Sequence, residues 1–414
     1  MIVPECLHSL DAVRAFALLS GIVLHAAMSF LPGFGSVGFP IIDQSPSLVL
    51  GLLFFVIHSF RMSLFFFIAG YFAHLQFHRR GLRDFLRDRG KRIALPLIIG
   101  WPILFPLVVL PIILAALQHP AGVTQPPPPP NGVTLAFPLL HLWFLYVLCL
   151  LYLLVLSVRA VLISCDRGGQ LRLSVDRCLR GIITNPAGVI VLATPASVAL
   201  AAYPYWVPWM GIPTPDTSLI PNSPALIAFF TAFSFGWLMH RQPDLLSIWK
   251  NRWKLNLLFA ISLSVAALTI VGPIPRYSPE EPGGLMVLYA ACYSLSTWCW
   301  IFAFMGIGLQ FFSAPSHQLR YLADSSYWLY LIHLPLVFLA QATVMSWNIH
   351  WIVKFPMILL VTVPLMLVSY HYCVRSTFVG GLLNGRRYQR IVHQNATGVA
   401  AVVNESGVDT ARAE

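Results

Sequence analysis

An arginine and a histidine stand eleven residues apart in LDAVRAFALLSGIVLHA: Arg14 and His25. On an α-helix that offset is about 1100° of rotation, or about 20° after whole turns, with a rise of about 16 Å. The two side chains therefore share a face, with a cation toward one end and an imidazole toward the other. Leu18 and Gly21 lie between them as a narrow apolar track, and Asp11 stands at i,i+3 to pair with Arg14. This layout suits a long donor whose phosphorylated head rests on the arginine while its acyl end reaches the imidazole. The plainer alternative is that Asp11 and Arg14 anchor the helix and His25 packs through a hydrogen bond.

The second apolar run carries IHSFRM, which sets His58 and Arg61 one turn apart. Arg61 needs an anionic or carbonyl partner, from a bound ligand or from a neighbouring helix. In RRGLRDFLRDRGKR, Arg89 and Arg92 are spaced to hold phosphates, although orientation charge alone explains them equally well. His141 opens HLWFL, where Trp143 reads as part of an interfacial aromatic belt. His333 in YLIHLP precedes Pro335, whose missing N–H frees a carbonyl near that imidazole, so a packing or kink role competes with chemistry.

The carboxylates inform by their scarcity. Of 15 Asp and Glu, only Asp11 and Asp324 touch an apolar run, and Asp324 in DSSYW reads as a helix N-cap. None is left for a proton relay or for paired-carboxylate hydrolysis. Acid–base work inside these runs falls to His25, His58, His141 and His333, since imidazole titrates near neutrality. Arg159 and Lys354 lie near the ends of runs, from where their heads snorkel to water.

The elements that must hold these residues are membrane helices. The chain has 414 residues, 57% hydrophobic and only 10% charged, with a mean hydropathy of +0.74. That composition excludes a water-soluble enzyme. Apolar runs predict an all-α, polytopic bundle of about ten spans, at roughly 10–30, 48–77, 93–117, 138–163, 187–203, 223–240, 255–271, 285–313, 325–343 and 351–373. With the N-terminus inside, the cytoplasmic segments hold 21 Lys and Arg and the outer ones hold Arg276 alone. This bias puts both termini in the cytoplasm and accounts for the net charge of +11 without nucleic acid. The expected location is a plasma (inner) membrane, with the lipid bilayer itself as a partner.

The leader MIVPECLHSLDAV lacks the basic stretch and cleavage site of a signal peptide. The seven cysteines avoid the outer loops and form no CxxC pair, so neither disulfides nor a metal site is expected. Pro126 to Pro130 read as an extended spacer in an outer loop. The division expected is a membrane domain over 1–379 and a polar, disordered cytoplasmic tail over 380–414.

The Arg14–His25 spacing resembles the signature of the membrane acyltransferase-3 family. FFFIAGYF in the second span, Arg89 and Arg92 ahead of Pro96, HLWFL and SYWLYLIHLPL continue the likeness, which runs from about residue 8 to 375. HSFRM followed by FFFIAGYF and HLWFL is most similar to the branch that succinylates osmoregulated periplasmic glucans. The resemblance implies a ten-helix O-acyltransferase that takes an acyl group from a cytoplasmic acyl-CoA to a hydroxyl of an extracytoplasmic glycan. It implies His25 as the catalytic residue, Arg14 and Arg61 as ligand-binding residues, and Arg89 and Arg92 at the donor's entrance. His58 joins the binding residues, and Asp11, His141, Trp143 and His333 support them. Acyl-CoA is a substrate here, and no permanently bound cofactor is implied; glycan-synthesis proteins are the further partners expected. Ala69 departs from the Ser that many members carry in Phe-Phe-x-x-Ser-Gly, so a hydroxyl there is not obligatory. No fused C-terminal esterase-like domain is expected. Acetyl and succinyl both remain open as the acyl group. The alternatives are a transporter or flippase without chemistry, disfavoured by the missing coupling carboxylates, and a scaffold for a glycan-building complex.

Overall fold

The computed structural model describes residues 4–118, 136–385 and 388, with backbone alone for 4–7. Among these residues there are twelve α-helices. They are α1 Pro4–Ala27, α2 Leu48–Arg89, α3 Leu95–Gln118, α4 Trp143–Cys165, α5 Gln170–Thr184, α6 Gly188–Ala201, α7 Ser223–Met239, α8 Leu246–Val271, α9 Gly284–Phe311, α10 His317–Val344, α11 Trp351–Ser369 and α12 Phe378–Asn384. The fold is all-α, as the apolar runs predict.

Local chemistry sets the starts. Ser47, Asn222 and Ser316 cap α2, α7 and α10 by accepting a hydrogen bond from the backbone N–H three residues on. The Ser316 cap starts α10 well ahead of Asp324, so the reading of Asp324 as an N-cap is wrong: it lies inside the helix. Prolines interrupt α3, α6, α10 and α11 without ending them. Membrane helices tolerate this because neighbouring groups satisfy the freed carbonyls.

Each of the ten expected spans falls on a helix, but their number by length is smaller. Seven helical stretches among the described residues are long and apolar enough to cross a bilayer, or eight if α5 and α6, bent by 100°, form one broken span. The 71-residue stretch Leu48–Gln118 counts once because a π-helical turn, Gly90–Ala94, joins α2 to α3 without a loop. Its break comes earlier, at Gly81, where φ is 73°. That is left-handed backbone suited to glycine. α7, at 17 residues, is shorter than a full crossing.

α2 runs through the centre and packs against α7, while α1 lies among α2, α9, α10 and α11. Gly70 and Gly236 let α2 and α7 touch backbone to backbone: a β-carbon on Gly70 would collide with the Phe233 carbonyl, and one on Gly236 with that of Phe67. The outward faces are apolar, with Ile98 and Leu360 each about 70% exposed, as lipid contact requires. The basic segments gather at one end of the bundle, where Arg241 pairs with Asp176 and Arg180 with Asp244.

The loops at the far end interlock. Tyr277 Oη donates to Pro32 O at 3.0 Å, and Lys354 Nζ sits 2.9 Å from Asp43 Oδ2. This last contact corrects the snorkelling assignment. Lys354 is 0% exposed and its carboxylate partner is also buried, because the chain after α1 folds back onto α11. Near the C-terminal end of the described residues α12 covers Phe378–Asn384, and Tyr388 Oη donates to Asp324 Oδ2 at 2.6 Å. The proline run and residues 389–414 of the expected tail lie outside the described residues.

Candidate functional site

A cavity of about 1190 Å³ lies among α1, α2, α3, α4 and α10. Toward the basic end its wall includes Arg80, Arg89, Arg92, Asp324 and Gly385; toward the far end it includes Phe34, Phe39, Pro213, Thr214 and Asp216. Arg14 and His25 are both on this wall, with Leu18 and Gly21 between them, so the helical face they share is the cavity-lining face. The same wall carries Asp11, His58, Arg61, Arg89, Arg92, His141, Trp143 and His333.

At the basic end one carboxylate serves three guanidiniums. Asp88 lies 3.3 Å from Arg80, 2.5 Å from Arg89 and 3.0 Å from Arg92. Arg89 also donates to Gln76 Oε1, and its Nε is buried without a partner. This mouth keeps an excess of positive charge on fixed side chains, the character of a phosphate site. Further in, Arg14 pairs with Asp11 at 3.3 Å and donates to the carbonyl of Ala323 at 2.9 Å, which ties α1 to α10.

The middle of the cavity gathers imidazoles and one cation. His25 and His333 face each other with ring centroids 5.1 Å apart, and His141 stands 5.4 Å from His333. His58 stacks on Phe54 and its Nδ1 is buried without a partner, as is Nε of Arg61. Arg61 reaches across to α1 at Gly21, where a β-carbon would collide with its Nη1. No acidic side chain forms an ion pair with Arg61 among the described residues, so an anion in the cavity meets an uncommitted guanidinium.

Hydrogen bonds fix how the rings present themselves. His25 Nδ1 lies 3.2 Å from Met28 Sδ, a group that can only accept, so Nδ1 carries the hydrogen and Nε2 is the free base. His141 Nε2 donates at 2.9 Å to the carbonyl of Leu331, whose helical donor would have been Pro335. The freed carbonyl expected near His333 is thus taken by His141. Trp143 does not form a lipid-facing belt: it is buried and stacks on Phe229 with centroids 5.6 Å apart.

Several wall residues were not singled out from the sequence. Tyr327 and Tyr330 recur at i,i+3 with His333 on α10, a stripe visible in SYWLYLIH once that face is known to be inward. Met28, Gln76 and Tyr152 come in only through packing. Asp216 belongs to an irregular loop; burial pushes its carboxyl up to about 6.

Residues 7–371 match the acyltransferase domain family, and the chain belongs to that family of membrane acyltransferases. Over 144 residues it is 36% identical to proteins named glucans biosynthesis protein C from Escherichia coli and Shigella dysenteriae serotype 1, and 35% identical to that of Escherichia coli O1:K1. The matched stretch is 34% of this chain and 35% of each relative, so it spans about a third of their length. No solved structure matches the chain. Its long apolar helices and its family together make it a multi-pass membrane acyltransferase.

Proposed function

We propose that this enzyme, set in the inner membrane with both termini cytoplasmic, carries an acyl group from acyl-CoA to a hydroxyl of an extracytoplasmic glycan. The name of the relatives favours a glucan as acceptor, alongside other glycan-synthesis proteins as partners. The observation that carries the reading is the single cavity whose wall holds the arginine cluster at the basic end and Arg14 and His25 along one helix face. Arg89, Arg92 and Arg14 hold the donor's phosphates, and its acyl thioester extends along Leu18 and Gly21 to His25.

Transfer then proceeds directly. His25 Nε2 takes the proton of the acceptor hydroxyl as its oxygen attacks the thioester carbonyl. Arg61 and His58 stabilise the oxyanion, since a fixed donor in a dry site acts strongly. The C–O bond forms, the C–S bond breaks, and the thiolate leaves with the proton from His25. Wild-type protein purified in detergent, given labelled acyl-CoA and gluco-oligosaccharides, is expected to yield labelled sugar, and His25→Ala none. Equal labelling by the two proteins would end the reading. Transport without chemistry would leave the thioester intact in this compartment-free assay.

A further inference from the structure

His25 and His333 approach across the cavity from α1 and α10, with 49° between their planes. Each has one nitrogen committed. His25 Nδ1 faces the Met28 thioether and His333 Nδ1 lies 2.6 Å from the carbonyl of Tyr330. Thioether and carbonyl only accept, so both Nδ1 atoms carry the hydrogen and both neutral rings present a bare Nε2. Neither Nε2 has a protein partner among the described residues. His141 repeats the pattern, because its Nε2 is committed to Leu331 O and its Nδ1 is left bare beside His333. These three rings thus present bare nitrogens, and the Arg61 guanidinium beside them is the donor assigned above to the oxyanion.

We propose that His333 Nε2 accepts a hydrogen bond from a second hydroxyl of the acceptor, adjacent to the one that reacts at His25, so that the two rings grip a vicinal diol. The inference rests on the acyl-transfer reading above and names what the acceptor must carry. One alcohol satisfies one of the two bare nitrogens and leaves the other unmatched. Neighbouring hydroxyls on a sugar ring satisfy both at once. A site built to accept from a hydroxyl rejects analogues that lack it much more strongly than an apolar pocket rejects a missing methylene. His333 is then a binding and positioning residue for the acceptor, while the proton itself moves at His25.

The informative substitution is His333→Asn. An asparagine amide stands near the position of Nδ1 and keeps the donor to Tyr330 O, while the Nε2 acceptor is gone. Binding of methyl glucoside and its mono-deoxy derivatives is measured by saturation-transfer NMR on protein purified in detergent, without acyl donor. For wild type, at least one mono-deoxy sugar is expected to bind about 10-fold more weakly than the parent, the effect of one lost hydrogen bond. His333→Asn should bind the parent about 10-fold more weakly and lose nothing further with that deoxy sugar, because both changes remove the same contact. Equal binding of every mono-deoxy sugar by wild type would overturn the proposal without recourse to any variant. Wild-type affinity in His333→Asn, or losses that multiply, would overturn it too. Because binding is read without the thioester, a failure of acyl transfer in the labelling assay overturns the reaction and is told apart from a failure of the diol site.

Discussion

His141 donates to the carbonyl of Leu331, and it can do so because the helical donor to that carbonyl would be Pro335. One proline thus opens α10, and a histidine from the turn just before α4 closes it again. The exchange fixes the His141 tautomer and ties two walls of the cavity together. We expect His141→Leu to lower thermal stability in detergent by about 1–2 kcal/mol, the cost of a buried carbonyl left unsatisfied. Adding Pro335→Ala supplies an N–H at the vacated position and should restore most of it. Unfolding midpoints of the two single variants and the double variant check this, and strictly additive losses would contradict the exchange.

The Arg14–His25 face was legible because one helix carries both residues, and helical rotation fixes their relation before any packing is known. The meeting of His25 with His333 was not, since 308 positions separate them and only the docking of α10 on α1 joins them. The same limit explains Lys354. Charge near a span end reads as snorkelling until the loop holding Asp43 is seen folded over it. Trp143 failed differently: a tryptophan near a span end suits either a headgroup belt or a stacking partner, and Phe229 on another helix decides. The α2–α3 junction reads as a connecting segment because its charge is high, yet it contains no proline and is helical on both sides of the break at Gly81.

Lys354 and Asp43 form an ion pair with both side chains essentially sealed from solvent. Removing one partner strands the other charge, so Lys354→Met or Asp43→Leu alone should cost about 3–5 kcal/mol. Replacing both together exchanges the pair for apolar contact and should cost far less than either single change. Thermal unfolding in detergent measures all three. If the double variant is as damaged as the singles, the carboxylate and ammonium are not each other's main partner.

Asp216 gives a pH signature outside the spans. Burial raises its carboxyl from 3.8 to about 6 in the folded protein. Below about pH 4 folded and unfolded chains both hold the proton, and the folded state carries no penalty. Between about pH 4 and 6 the unfolded chain ionises while the folded one resists, so this group removes stability as pH rises, and the loss levels off above about pH 6. Asp216→Asn lacks the effect. Its stability advantage should be absent at about pH 4 and reach about 1 kcal/mol by about pH 7, after allowing for partial exposure. Melting curves that shift in parallel across this range would show that the carboxyl is not held in a poorly hydrating site.

Gly21 sits where Arg61 crosses to α1, and a β-carbon there meets the guanidinium tip and no backbone. The tip of a long side chain yields easily, so Gly21→Ala should leave the unfolding midpoint within about 2 °C of wild type, as for a change that leaves packing intact. What must move is the uncommitted guanidinium assigned above to the oxyanion. We expect kcat/KM for acyl transfer to fall about 10-fold, equivalent to about 1.4 kcal/mol of transition-state stabilisation. Arg61→Lys should lose a similar amount, because an ammonium cannot reproduce the planar fork. When Gly21→Ala is added to Arg61→Lys, the alanine has no guanidinium left to displace, so the combined variant should be no slower than Arg61→Lys alone. Multiplied losses would mean that Gly21 serves the donor's path directly and that its contact with Arg61 is incidental.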